Sequence, residues 1–185
     1  MIACVDVAYR NRSTFAGCLL FSAWSDELPA GKVLVSLGSA EPYRSGEFYL
    51  RELPPILEVL KRVQAPMETI VVDGYVWLEG NRMGLGAHLH SALRGRVAVV
   101  GVAKNRWRGA TDAAATDPER RTIPVMRGES KRPLYVTATG MNVELAANYV
   151  AGMHGPFRIP TLLAAVNTLV RTQQSGDRTD RRDRA

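Results

Sequence analysis

Cysteine is scarce in this chain: it holds two among 185 residues, and neither has a second Cys or a His at metal-ligand spacing. That speaks against a disulfide-built scaffold and against a zinc site of the cysteine type. Cys4 and Cys18 lie in apolar, strand-like runs and read as reduced core thiols, as expected of a cytoplasmic protein. No stretch approaches the ~18 consecutive apolar residues of a membrane span. The start of the chain lacks the charged opening and long apolar core of a secretory leader. Internal repeats and long linkers are absent too, so one domain is expected over residues 1–174.

What is present is an ordinary globular composition, 46% apolar and 23% charged, with a formal charge of +6 and a pI near 9.7. An excess of that sign favours an anionic partner such as nucleic acid. The tail, residues 175–185, carries four arginines and three aspartates, so it supplies only +1 and leaves +5 to the folded part. Its composition predicts disorder.

Apolar alternation and turn signals place strands at 2–9, 13–24 and 32–39, and the short connections predict an antiparallel meander. Leu53, Ile56, Leu57, Leu60 and Val63 then recur at helical spacing. This predicts a helix from Phe48 to Val63 that starts late or bends at Pro54 and Pro55. Further strands are expected at 68–74, 96–104 and 132–140, with short strand-like pieces around Ile123. Helices are expected at 83–93, 143–153 and 159–174. The order implies an α/β protein, a mixed sheet of ribonuclease H-like arrangement flanked by helices.

Asp6 lies in the middle of an apolar run, "IACVDVAYR", where a carboxylate is costly unless paired with a cation. Asp73 ends the run "TIVVD" before a glycine, and Glu52 lies on the first helix. If strands one and four are neighbours, Asp6 and Asp73 share a sheet edge and Glu52 can be carried over them. Three adjacent carboxylates repel one another unless a cation intervenes, and oxygen donors suit Mg²⁺ or Mn²⁺. Taken singly, Asp73 also reads as a turn residue and Glu52 as compensation of a helix dipole.

At these residues the chain resembles the endonuclease V family, nucleases that cut near deoxyinosine or inosine. The similar segments, in order, are "VDVAY" at Asp6, "PYRSGEFYLRE" (42–52), Val72-Asp73-Gly74, "GLGAH" (84–88), "GVAK" (101–104), "PLYVTATGM" (133–141) and Arg158-Ile159-Pro160. The resemblance implies a metal-dependent hydrolase acting on DNA or RNA. It implies Asp6, Glu52 and Asp73 as metal ligands and Lys104 near the scissile phosphate. It also implies Tyr43 as a strand-separating wedge, within a turn that includes Arg44 and Gly46. Gly84 and Leu85 would belong to the wall of a pocket for a flipped base.

The chain departs from the family pattern at several places. The family histidine of the "GH" pair falls on Met141, and His154 is a nearby substitute. Tyr75 and Glu79 replace two histidines, with Trp77 between them. Ser45 replaces a wedge proline, and Thr161 and Ala164 replace charged residues of the last helix. The family's N-terminal extension has no counterpart. Two other expectations therefore stand beside the nuclease: a weak or inactive nucleic-acid-binding homologue, and a subunit of a larger nucleic-acid-processing assembly.

Overall fold

The computed structural model describes residues 1–10, 13–38, 48–78, 82–107 and 117–173. The chain opens with β1 (Ile2–Arg10), β2 (Ser13–Phe21) and β3 (Gly31–Leu37), paired antiparallel in that order. Helix α1 (Phe48–Leu60) follows and leads to β4 (Thr69–Val72), which runs parallel to β1. A small hairpin, β5 (Trp77–Leu78) and β6 (Arg82–Met83), precedes α2 (Leu85–Ala92). Strand β7 (Ala98–Ala103) is parallel to β4. The short β8 (Ile123–Val125) pairs with β9 (Leu134–Thr139), which returns antiparallel to β7. Helices α3 (Val143–Gly152) and α4 (Thr161–Arg171) close the described chain.

The main sheet therefore has the order β3-β2-β1-β4-β7-β9-β8. Alternating side chains of its central strands feed two cores. Ile2, Cys4, Val71, Val100 and Val102 face α3 and α4, whereas Ala3, Val5, Ile70, Val72 and Val99 face α1 and α2. Because both faces are covered, these strands read as continuous apolar runs. Pro124 is tolerated because β8 is an edge strand, where a missing N–H costs no ladder bond. No helix among the described residues is long and apolar enough to cross a membrane.

Two details position the site. Pro54 and Pro55 sit inside α1 rather than delaying its start. A proline in a helix leaves the carbonyl four residues earlier without its usual donor. For Pro55 that carbonyl belongs to Arg51, and the Tyr9 hydroxyl donates to it at 2.9 Å. The orphaned acceptor thus ties α1 to β1. On the other face, Gly17 of β2 lies opposite Asp6 of β1. A Cβ at Gly17 would stand 2.7 Å from a Val170 methyl and 3.3 Å from one of Leu169, so glycine lets α4 approach closely at this point.

Candidate active site

The parallel register pairs Val5 with Val72, so the next residues, Asp6 and Asp73, stand side by side where β4 ends. Asp6 points toward α4. One carboxylate oxygen accepts the Val7 N–H at 2.8 Å, and the other accepts the Asn167 side-chain N–H at 2.6 Å. Asp73 lies closer to solvent and accepts from the Lys104 ammonium at 2.5 Å. Lys104 follows directly on β7, whose parallel pairing with β4 brings it to this edge. Glu52 reaches the edge from α1, on the opposite face of the sheet.

The three carboxylates border one open cleft of about 680 Å³, lined also by Asn167, Tyr9 and Arg51 among others, while Lys104 lines an adjoining pocket with Asp6 and Asp73. The Arg51 guanidinium stacks over the Tyr9 ring at 3.6 Å, a cation–π contact that fixes both side chains beside Glu52. Burial pushes the Glu52 carboxyl up to about 7; the Tyr9 hydroxyl opposes this, Asp6 adds to it, Arg51 opposes it and Asp73 adds to it. Burial also raises Asp6, against the hydrogen bonds from Asn167 and Val7; Asp73 then adds to the rise and Lys104 opposes it. Mutual repulsion among Asp6, Glu52 and Asp73 is thus a feature of this cleft.

No group of three or more His, Cys, Asp or Glu side chains is gathered closely enough to hold a metal ion among the described residues. The donor chemistry nevertheless fits a hard divalent cation: three carboxylates face one cleft, and Lys104 already supplies a positive charge to one of them. Asp6, Glu52 and Asp73 are the residues that would hold such an ion.

Of the other expected positions, Gly84 and Leu85 stand at the start of α2, buried and outside this cleft. A Cβ at Gly84 would lie 2.4 Å from the Tyr75 carbonyl oxygen, so glycine is needed for close backbone approach. Tyr43, Arg44 and Gly46 lie outside the described residues, as do Ser45, Glu79 and the tail from 174. Tyr75 instead braces the chain after Lys104: its hydroxyl donates to the Asn105 carbonyl and accepts from the Trp107 N–H. The reading of Met141 requires correction. Because β9 runs antiparallel to β7, Thr139 pairs with Val99 and Met141 follows at the edge opposite Lys104. Its side chain packs against the core, so a methionine there removes no group from the carboxylate cleft. His154 is no substitute, since it bonds the Thr161 hydroxyl at 3.0 Å and faces Glu27.

Asn167 escaped the sequence reading. Its signal was a lone amide within the apolar stripe Leu163, Val166, Val170 of α4, a stripe that otherwise reads as core.

With Asp6 in the middle of β1 and Asp73 just past the end of β4, the mixed sheet flanked by helices has the ribonuclease H-like fold. Solved endonuclease V structures share this fold. That from Streptomyces avermitilis superposes with a TM-score of 0.71 at 23% identity, over 92% of this chain and 79% of the other. That from Ciona intestinalis, in complex with a 24mer DNA containing an inosine followed by a ribo-adenosine, gives 0.76 at 18% identity, over 92% and 84%. The curated Endonuclease V of Geotalea uraniireducens is 28% identical over 171 residues, covering 92% of this chain and 68% of its own length. The Endonuclease V family pattern matches residues 1–167, and the chain belongs to that family of nucleases.

Proposed function

We propose that this protein is a Mg²⁺- or Mn²⁺-dependent endonuclease that hydrolyses phosphodiester bonds in DNA or RNA next to deoxyinosine or inosine. The observation that carries this reading is the meeting of Asp6, Glu52 and Asp73 in one cleft, from three separate elements. When bound, a divalent cation supplies an activated water and neutralises charge at the phosphate. Asp6, Glu52 and Asp73 would hold it, all three offering the oxygen donors a hard cation takes. Asn167 fixes the Asp6 carboxylate in one orientation. Lys104 presents an ammonium to negative charge that develops on the phosphate. Tyr43 stacks on a base, Arg44 contacts phosphate, and Gly46 belongs to the same substrate-binding motif. Gly84 and Leu85 contribute to the wall that receives the flipped base.

The test is cleavage of labelled single- and double-stranded DNA and RNA, with and without inosine, in Mg²⁺ and Mn²⁺. Cutting that chelation removes and that D6A lowers by at least ~10³-fold supports the reading, since one acid–base group alone is worth ~10²–10⁴. No cutting of any substrate, with wild type and D6A binding nucleic acid equally well, sinks it. That outcome belongs to the second reading, a non-catalytic nucleic-acid-binding homologue. Its own support is that Asp6 and Asp73 already have partners within the chain, Asn167 and Lys104.

A further inference from the structure

Besides Arg51, which stacks on Tyr9, the same cleft contains two further arginines that the ligand set does not use. Arg10 and Arg171 line it together with Asp6, Asp73 and Asn167. Their placement follows from two periodicities. On β1, Cys4, Asp6 and Arg10 point to the face that α4 covers, because alternate strand residues share a side. On α4, Asn167 and Arg171 are four residues apart and share one stripe. The helix also runs along the strand: the Cys4 thiol reaches the Leu162 carbonyl, and Asp6 reaches Asn167 further on. Continuing in that direction, Arg10 ends β1 and Arg171 ends α4.

Both arginines are exposed, and neither forms an ion pair among the described residues. A cation in the last turn of a helix is favoured by the helix dipole, which by itself would account for Arg171. It does not account for Arg10, which sits on a strand. Nor does it explain why both border the cleft that holds the carboxylates. Arg51 and Lys104 are engaged beside the acids, whereas Arg10 and Arg171 stand free of them at one rim.

We propose that Arg10 and Arg171 form a phosphate clamp, gripping the nucleic-acid backbone to one side of the scissile bond. This rests on the nuclease reading and deepens it. Arg10 stands four strand residues beyond Asp6, ~13 Å at ~3.3 Å per residue. That distance is longer than the spacing between neighbouring backbone phosphates. The clamp therefore engages flanking phosphates and leaves the scissile one to the carboxylates and Lys104. Its contacts are electrostatic and read no base.

The test is the salt dependence of binding to a 5′-fluorescein-labelled 24-nucleotide DNA containing deoxyinosine, single-stranded and as a duplex, measured by anisotropy in chelator. Each phosphate contact contributes about 0.7 to the slope of log K against log salt for a single strand and about 0.9 for a duplex. R10A/R171A is expected to lower the slope by about 1.4 and about 1.8 respectively, and R10K/R171K to restore it. The control is R62A/R96A. Arg62 lies between α1 and β4 and Arg96 precedes β7, at the opposite edge of the sheet, so this pair is expected to keep the wild-type slope. Binding by R10A/R171A with the wild-type slope overturns the clamp and leaves the nuclease reading intact. No binding by the wild-type protein of either DNA probe, or of the same strand made as inosine-containing RNA, overturns both.

Discussion

Glu52 shows how one side chain records the character of this cleft. Burial raises its carboxyl to about 7 from an ordinary 4.5, because removal from water penalises the charged form. A carboxyl raised on folding contributes its full stability below the unfolded value, and that contribution is lost as pH rises through the folded one. For Glu52 the loss amounts to about 3 kcal/mol at most. In chelator, the unfolding midpoint of the wild type is expected to fall between about pH 5 and pH 8 relative to E52Q, which has no charge to lose there. A difference between the two proteins that stays constant over this range would show that Glu52 is already solvated. Asp6 and Asp73 were visible in the sequence because one interrupts and the other ends an apolar run, and Glu52 through the motif it shares with the family. Asn167 was not, because its partner Asp6 lies 161 positions away and an amide on a helix has no local signature of that contact.

At the scale of elements, α4 is held against β1 and β2 by the missing side chain at Gly17. Val170 is β-branched and has little freedom to turn aside. G17A is therefore expected to cost about 1–3 kcal/mol in urea denaturation, the usual penalty for overpacking. It should also reduce cleavage, because Asn167 moves away from Asp6 with the helix. Wild-type stability in G17A would mean that the helix shifts freely, contrary to the packing described. Helix α1 teaches the reverse lesson. Its apolar spacing was plain in the sequence, yet two prolines predicted a late start or a bend. Tertiary contacts overrode that local signal: Tyr9 takes up the Arg51 carbonyl that Pro55 leaves without a donor.

For the molecule as a whole, the connection from α3 to α4 depends on Arg127. This guanidinium is 7% exposed and donates to five backbone carbonyls, those of Ala151, Met153, Gly155, Phe157 and Arg158. Arg158, in turn, donates to the carbonyls of Lys104 and Pro133, so the connection is tied to the active edge of the sheet. R127M leaves these buried acceptors without a donor and is expected to cost about 3 kcal/mol or more. At about 2–4 °C per kcal/mol for a chain of this size, the melting temperature should drop by roughly 6–12 °C. An unchanged melting temperature would mean that water replaces the guanidinium without loss.

Local pattern alone located the strands and the helices, since period-two and period-3.6 burial are properties of neighbouring residues. It also singled out Asp6, because a charge within an apolar run stands out wherever it falls, whereas Asp73 and Glu52 joined it as a ligand set through the family resemblance. Strand order was a matter for the tertiary structure: β4 lies beside β1, and β9 reverses against β7. That order brings Asp73 and Lys104 to Asp6 and carries Met141 to the far edge of the sheet. The close approach of α4 was likewise settled in three dimensions, with Asn167 on Asp6 and Arg171 on the rim of the cleft. The physical reason is the same in each case. Strand direction and helix docking are decided by which distant surfaces bury each other, and a one-dimensional pattern does not contain that information.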